Sequence, residues 1–290
     1  MVQGQLAEAA QAFGDSLAIR QQLAAGDPSN IDWQRDLSVS FERLGDVATA
    51  QGQLAEAARA YGEGLTIAQQ LAASDPSNTD WQRDLSVSYD QLGDVAMVQG
   101  QLAEATQAYG DSFAIRKTLA ASDPSNTDWQ HDLSVSFDQL GDVAMAQGQL
   151  AKAARAYNKG LVITQQLATN DSSNTDWQRD LSVSYDKLGD VAMAQGRLTE
   201  AAQVYGDSLA IRQQLAAGDP SNIDWQRDLS ESFCNLANLA ERQENIREAR
   251  NYWNKALKVL AVIDKRGLHL SPEDRKLLET VREKASTDAH

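Results

Sequence analysis

The chain of 290 residues is poor in the groups from which catalytic and metal sites are usually built: one cysteine, three histidines and five prolines. Cys234 stands alone, so no intrachain disulfide can form. Single-cysteine usage fits a reducing compartment, and no catalytic signature surrounds this thiol. A structural thiol is expected there. His131, His269 and His290 form no spaced ligand set, and no glycine-rich phosphate loop or metal-ligand motif is present. No apolar run approaches the ~20 residues of a membrane span. Positive charge is also scarce, with 26 Lys and Arg against 41 Asp and Glu, a net charge of −15. Nucleic acid and anionic membrane are thereby disfavoured as partners. The start, Met1-Val2-Gln3-Gly4, has no basic stretch followed by an apolar core, as a secretory leader would. Cytoplasmic location is the expectation, with no cofactor, no metal and no enzymatic activity.

What the chain does have is a ruler. Trp33, Trp81, Trp129, Trp177 and Trp225 are 48 residues apart, each inside a phrase such as Asp80-Trp81-Gln82-Arg83-Asp84-Leu85-Ser86. A fixed period of this length means one supersecondary unit copied along the chain. Such an array grows by stacking, so the length does not imply two globular domains.

Within one copy, Trp81, Leu85, Tyr89, Leu92, Val95 and Ala96 recur at spacings of three and four, an apolar helical stripe. Gly100 interrupts it. Leu102, Ala105, Ala108, Tyr109, Phe113, Ile115 and Leu119 form a second stripe, closed by the turn cluster Ser122-Asp123-Pro124-Ser125-Asn126. Thr79 with Gln82 predicts a capping box at the helix start. Each copy therefore reads as a hairpin of two helices, and the repeats fall at 32–74, 80–122, 128–170, 176–218 and 224–264. The tryptophans are expected to fill the space between hairpins. Gly93 and its equivalents are expected to let helices approach closely.

The ends differ from the middle. Residues 1–26 match only a second helix, since Met1-Val2-Gln3-Gly4-Gln5-Leu6 aligns with Met97-Val98-Gln99-Gly100-Gln101-Leu102. This suggests a piece of a longer array, with an apolar stripe uncovered and prone to self-association. At the other end, Ser271 as N-cap and Pro272 as first residue predict a capping helix over 271–287. Residues 241–290 carry eleven Lys/Arg and nine Asp/Glu, a net of +2, which leaves −17 on residues 1–240.

The run Tyr89-Asp90-Gln91-Leu92-Gly93-Asp94-Val95-Ala96, then Gly100, Ala105, Tyr109, Ser112 and Pro124, resembles the tetratricopeptide repeat. The same marks recur at Phe41/Leu44/Gly45, Phe137/Leu140/Gly141 and Tyr185/Leu188/Gly189, and in the fifth copy Ala237 replaces the glycine. The family's unit has 34 residues; this one, at 48, resembles the long-helix relatives of the kinesin light chain type. The resemblance covers nearly residues 1–264. It implies an all-α, right-handed superhelical solenoid of antiparallel helix hairpins, with a concave groove lined by the first helices.

On those first helices Glu42 and Asp46, Asp90 and Asp94, Asp138 and Asp142, and Asp186 and Asp190 form a ladder of carboxylate pairs at i, i+4 spacing. Like charges at that spacing cost roughly 0.2–0.5 kcal/mol per pair. The ladder stops in the fifth copy, where Cys234 and Asn238 take the two places. One reading is an acidic groove that binds a basic peptide or loop of a partner protein, with Arg83 and Arg179 on the same strip. The other is a solvated acidic face repeated by duplication, its arginines in surface ion pairs. The family's clamp for acidic C-termini places Lys, Arg and Asn here, so the resemblance disfavours acidic ligands. A structural or oligomerisation spacer, or the sensor segment of a larger protein with an effector domain upstream, are the alternatives to a peptide-binding scaffold.

Overall fold

The structure, a computed structural model, describes residues 2–265 and 272–286, with side chains from residue 6 to 263 and 275 to 285. Among them it forms twelve helices and no strand. The first, α1, spans Val2–Gly26. Hairpins follow as α2 (Ile31–Ala50) with α3 (Leu54–Ser74), α4 (Thr79–Val98) with α5 (Leu102–Ser122), α8 (Thr175–Ala194) with α9 (Leu198–Gly218), and α10 (Ile223–Arg242) with α11 (Ile246–Lys265); between the second and third of these come α6 (Thr127–Ala146) and α7 (Leu150–Asn170), and α12 is Pro272–Ser286. The fold class is all-α, built of consecutive helix hairpins. The chain divides into two compact units, 1–148 and 149–290.

Each hairpin is delimited by the same local chemistry. Before α4, the Asp75 carboxylate accepts the amide and hydroxyl of Ser77 at 3.0 and 2.6 Å. That turn delivers Asn78 in an extended conformation, and its side chain accepts the amides of Asp80 and Trp81, both at 3.1 Å. An asparagine cap of this kind satisfies amides that no intrahelical carbonyl can reach. The capping box expected at Thr79 is thereby corrected: Thr79 is already helical, and the Gln82 side chain donates instead to the Ala72 carbonyl at 3.3 Å. The short turn inside each hairpin is a Schellman motif. Gln101 N donates to Ala96 O, Gly100 N donates to Met97 O, and Gly100 sits at φ +73°. Glycine tolerates this left-handed geometry at no steric cost. The last hairpin places Glu244 there, at φ 60°.

Helices of one hairpin meet through small residues. A Cβ added at Gly93 would lie 2.5 Å from a ring carbon of Tyr109, so the glycine is the space that the tyrosine ring occupies. In the last hairpin the aromatic is Trp253, against Ala237; both are buried. Ser86, Ser88, Ser182 and Ser184 are buried as well, and the hydroxyls of Ser86 and Ser88 are returned to carbonyls of their own helix, Arg83 and Asp84.

The tryptophans lie at the edge of the core, and Trp81 lines a small cavity together with Ala68 and Leu71 of the preceding hairpin. All five of the series are half-buried. Each stands in a first helical turn beside an exposed loop, whereas the space between helices is filled by alanine, valine and tyrosine such as Ala105, Tyr109 and Val143. In the second unit the largest apolar cluster joins Phe233, Cys234, Trp253 and Leu260 to Leu278 and Val281 of α12. The expected Ser271 cap of that helix lies outside the described residues.

Candidate functional site

The eight ladder carboxylates occupy two levels on the first helices, and the two levels have different surroundings. At the second level a tyrosine of the same hairpin donates its hydroxyl hydrogen to the acid: Tyr61 to Asp46 at 2.9 Å, Tyr109 to Asp94 at 2.7 Å, and Tyr205 to Asp190 at 2.6 Å. Burial, with the neighbouring carboxylates, pushes the Tyr61 hydroxyl up to about 12 and raises Tyr109 and Tyr205 further. Asp94 keeps an exposed edge, yet desolvation by the surrounding protein and the charge of Asp142 raise its pKa. Asp142 of α6 is half-buried, while Asp46 and Asp190 are exposed.

At the first level the copies diverge. Asp90 is 6% exposed and Asp186 7%. Arg116 of α5 reaches Asp90 at 2.6 Å and Arg212 of α9 reaches Asp186 at 2.8 Å, each through Nη2 to Oδ2. Burial pushes Asp186 up to about 6, against the pull of Arg212, and raises Asp90 in the same direction. These two carboxylates are therefore occupied internally. Asp138 is half-buried on α6. Glu42 meets no counterpart of Arg116 on α3, because Ala68 stands at that position. Desolvation, then the charges of Asp84 and Asp46, push Glu42 up to about 6. In the last hairpin the two places hold Cys234 and Leu260, both buried in the apolar cluster. Burial pushes the Cys234 thiol up to about 12.

Arg83 and Arg179 hold neighbouring first helices together. Arg83 donates Nε and Nη2 to the two oxygens of Asp132 at 2.6 and 3.2 Å, and Arg179 does the same to Asp228 at 2.5 and 3.1 Å. Arg35 reaches Asp84 at 2.9 Å. These contacts, forked for Arg83 and Arg179 and single for Arg35, raise the pKa of all three arginines, whose side chains remain roughly half exposed.

The buried arginines break the sameness of the 48-residue copies. The signal is a second period of 96 residues: Ser16/Arg20, Ser112/Arg116 and Ser208/Arg212 alternate with Gly64/Ala68 and Gly160/Thr164. Among the described residues, no group of three His, Cys, Asp or Glu could hold a metal ion. No helix among them is long and apolar enough to cross a membrane.

Paired helices of about 20 residues, a left-handed glycine between them and an aromatic ring seated on a helix glycine define an array of helical repeats. A sequence model of the tetratricopeptide repeat family matches residues 181–219, which span most of α8 and all of α9. No curated protein matches the chain. Among solved structures, BtubC (BKLC) from P. vanneervenii is similar, with a TM-score of 0.69 at 21% identity over 92% of this chain and 94% of that one. A putative kinesin light chain with nearly identical TPR-like repeats from Podosopora anserina gives 0.50 at 24% identity over 76% and 95%. The apo form of RapI gives 0.61 at 11% identity over 93% and 68%. These likenesses establish the shared long-helix repeat fold.

Proposed function

We propose that the chain is a non-enzymatic scaffold for protein–protein interaction, and that its first helices take up a basic peptide or loop of a partner. The observation that carries this reading is the second level of the ladder. Asp46, Asp94 and Asp142 follow one another on successive first helices of one unit, close enough for the charge of Asp142 to raise the pKa of Asp94. Asp190 repeats the position in the other unit. A lysine or arginine brought alongside relieves the mutual repulsion of such acids, and complementary charge speeds encounter and sets register. Arg83 and Arg179 then serve by fixing the spacing of the helices that present the acids.

The test is binding of a lysine- and arginine-rich peptide, measured by titration calorimetry over a range of salt. Affinity is expected to fall steeply with salt and by at least about tenfold when Asp94, Asp142 and Asp190 are all changed to Asn. Asparagine keeps an acceptor for the Tyr109 and Tyr205 hydroxyls, so the fold is preserved. Salt-independent binding, or binding unchanged in the triple variant, overturns the reading.

One observation favours self-association as a second reading. Leu23 of α1 is 41% exposed, whereas its equivalents Leu71 and Leu119 are 8% and 5% exposed. A second copy covering α1 would bury it. Light scattering across concentration decides: a strict monomer eliminates this reading, and a dimer dispersed by Leu23→Glu supports it.

A further inference from the structure

The strongest unexplained feature is a small cavity between the first hairpin and α4. It has about 70 Å³ of space and is lined by Arg35, Ser38, Glu42, Ala68, Trp81 and Asp84, among others. Its position is defined by Ala68, the residue aligned with Arg116 and Arg212.

In the second hairpin this place holds a guanidinium. Arg116 donates Nε to Ser86 Oγ at 3.1 Å and Nη1 to Asp132 O and Ser136 Oγ, both at 3.3 Å, while Nη2 pairs with Asp90 at 2.6 Å. The α8–α9 hairpin repeats the set. Arg212 Nε donates to Ser182 Oγ at 3.1 Å, Nη1 donates to Asp228 O at 2.8 Å and Ser232 Oγ at 3.3 Å, and Nη2 pairs with Asp186 at 2.8 Å. Forty-eight residues before the Arg116 set stand Ser38, Asp84, Ser88 and Glu42. The Ala68 site thus keeps the acceptor positions of the cradle, Ser38 and Glu42 on α2 and Asp84 and Ser88 on α4, with glutamate in place of Asp90, and lacks the side chain that fills it. Ser88 Oγ lies 3.5 Å from the Glu42 carboxylate and 3.2 Å from the Asp84 carbonyl, so the acceptors already converge. Val39, Leu71 and Trp81 form an apolar wall for the methylenes of a guanidinium-bearing chain. The neighbouring Arg35–Asp84 pair does not exclude such a guest, because the equivalent Arg83–Asp132 pair stands beside Arg116 in the second hairpin.

We infer that the Ala68 cavity is a binding site for a guanidinium group, supplied by an arginine side chain of a partner polypeptide. Glu42 takes the ionic role of Asp90, and Ser38, Ser88 and the Asp84 carbonyl take the remaining hydrogen bonds. A planar fork with several donors matches this set, whereas an ammonium group, with fewer donors on a single nitrogen, does not. The identity of the donor as a partner's arginine rests on the scaffold reading above; the affinity of the cavity for a guanidinium does not.

The probe is ethylguanidinium, which is what remains of an arginine side chain beyond Cβ. At millimolar concentrations it is expected to raise the melting temperature of the whole chain, and ethylammonium to do so far less. Glu42→Gln should weaken ethylguanidinium by at least about tenfold, the worth of a charged hydrogen bond. Ala68→Arg should abolish the response by supplying the group in cis, and Ala68→Leu should abolish it by filling the space without charge, as Leu260 does in the last hairpin. An equal response of the wild type and Ala68→Leu overturns the inference and leaves the acidic-ladder reading standing. If ethylguanidinium binds but an arginine-containing peptide neither binds nor competes with it, the partner's arginine is overturned as the donor.

Discussion

Arg116 pairs with Asp90 inside the second hairpin at 2.6 Å, with both side chains less than a tenth exposed. The same two positions of the last hairpin hold Cys234 and Leu260, packed in an apolar cluster. One fold position is thus solved with a buried ion pair in the α4–α5 and α8–α9 hairpins and with a dry contact in the last. Removing one member of a buried pair strands a charge and costs about 3–5 kcal/mol, whereas replacing both by apolar groups is often neutral or stabilising. Arg116→Met should accordingly destabilise by several kcal/mol in urea unfolding. The double change Asp90→Cys with Arg116→Leu should recover most of that loss.

Gly93 and Gly110 lie in the helices of one hairpin with opposite surroundings. A methyl group at Gly93 meets the Tyr109 ring at 2.5 Å, while nothing stands within 4 Å of one at Gly110. Gly93→Ala should cost about 1–3 kcal/mol by overpacking. Gly110→Ala should stabilise by about 0.5–1 kcal/mol through helix propensity. Thermal denaturation of the two variants checks both signs.

Glu42 gives the chain a pH dependence of defined sign. Its carboxyl holds its proton more tightly in the fold, up to about 6, than at its ordinary 4.5. Between those values the folded state carries more protons than the unfolded one, so stability falls as pH rises through that window. Asp186, also pushed up to about 6, acts in the same direction. Glu42→Gln should flatten the profile and stabilise at pH 7 by on the order of 1 kcal/mol after allowance for solvent screening. Urea midpoints at pH 4.5 and 7 measure it.

Cys234 should be inert in the native chain. It is buried and its thiol is pushed up to about 12, so almost no thiolate exists near neutrality. A thiol reagent should report no reaction in buffer and one equivalent after unfolding. Rapid labelling of the folded chain would contradict this.

Asn78 anchors α4 through two amides. Asn78→Ala should cost about 1 kcal/mol, and Thr79→Ala much less, because Thr79 is not the cap. Reversal of that order in thermal melts would restore the capping box.

The hairpins, the 48-residue unit and the glycines under the aromatic rings were legible because backbone geometry and close approach leave few residue choices. The caps were misassigned because a Thr-x-x-Gln pattern looks the same whether or not an asparagine just before it already does the work. The carboxylates looked like one ladder because the residues that distinguish them lie 26 positions away on the second helix: Arg116 for Asp90, Arg212 for Asp186 and Ala68 for Glu42. Sequence spacing within one helix carries no information about which side chain of the next will meet it. The tryptophans recur with perfect regularity, yet regularity measures copying and not burial.

The alternation of arginine and small residues at positions 20, 68, 116, 164 and 212 makes the duplicated element twice as long as the hairpin. Recombination between such copies therefore has two grammars. Loss of residues 79–174 removes one whole double element and joins the Ala68 hairpin to another that carries an arginine. Loss of residues 79–126 sets the Ala68 hairpin against the one with Thr164, with no arginine between them. Lineages of this array should change length in steps of 96 residues, and a shortened chain missing 96 residues should fold with less loss than one missing 48.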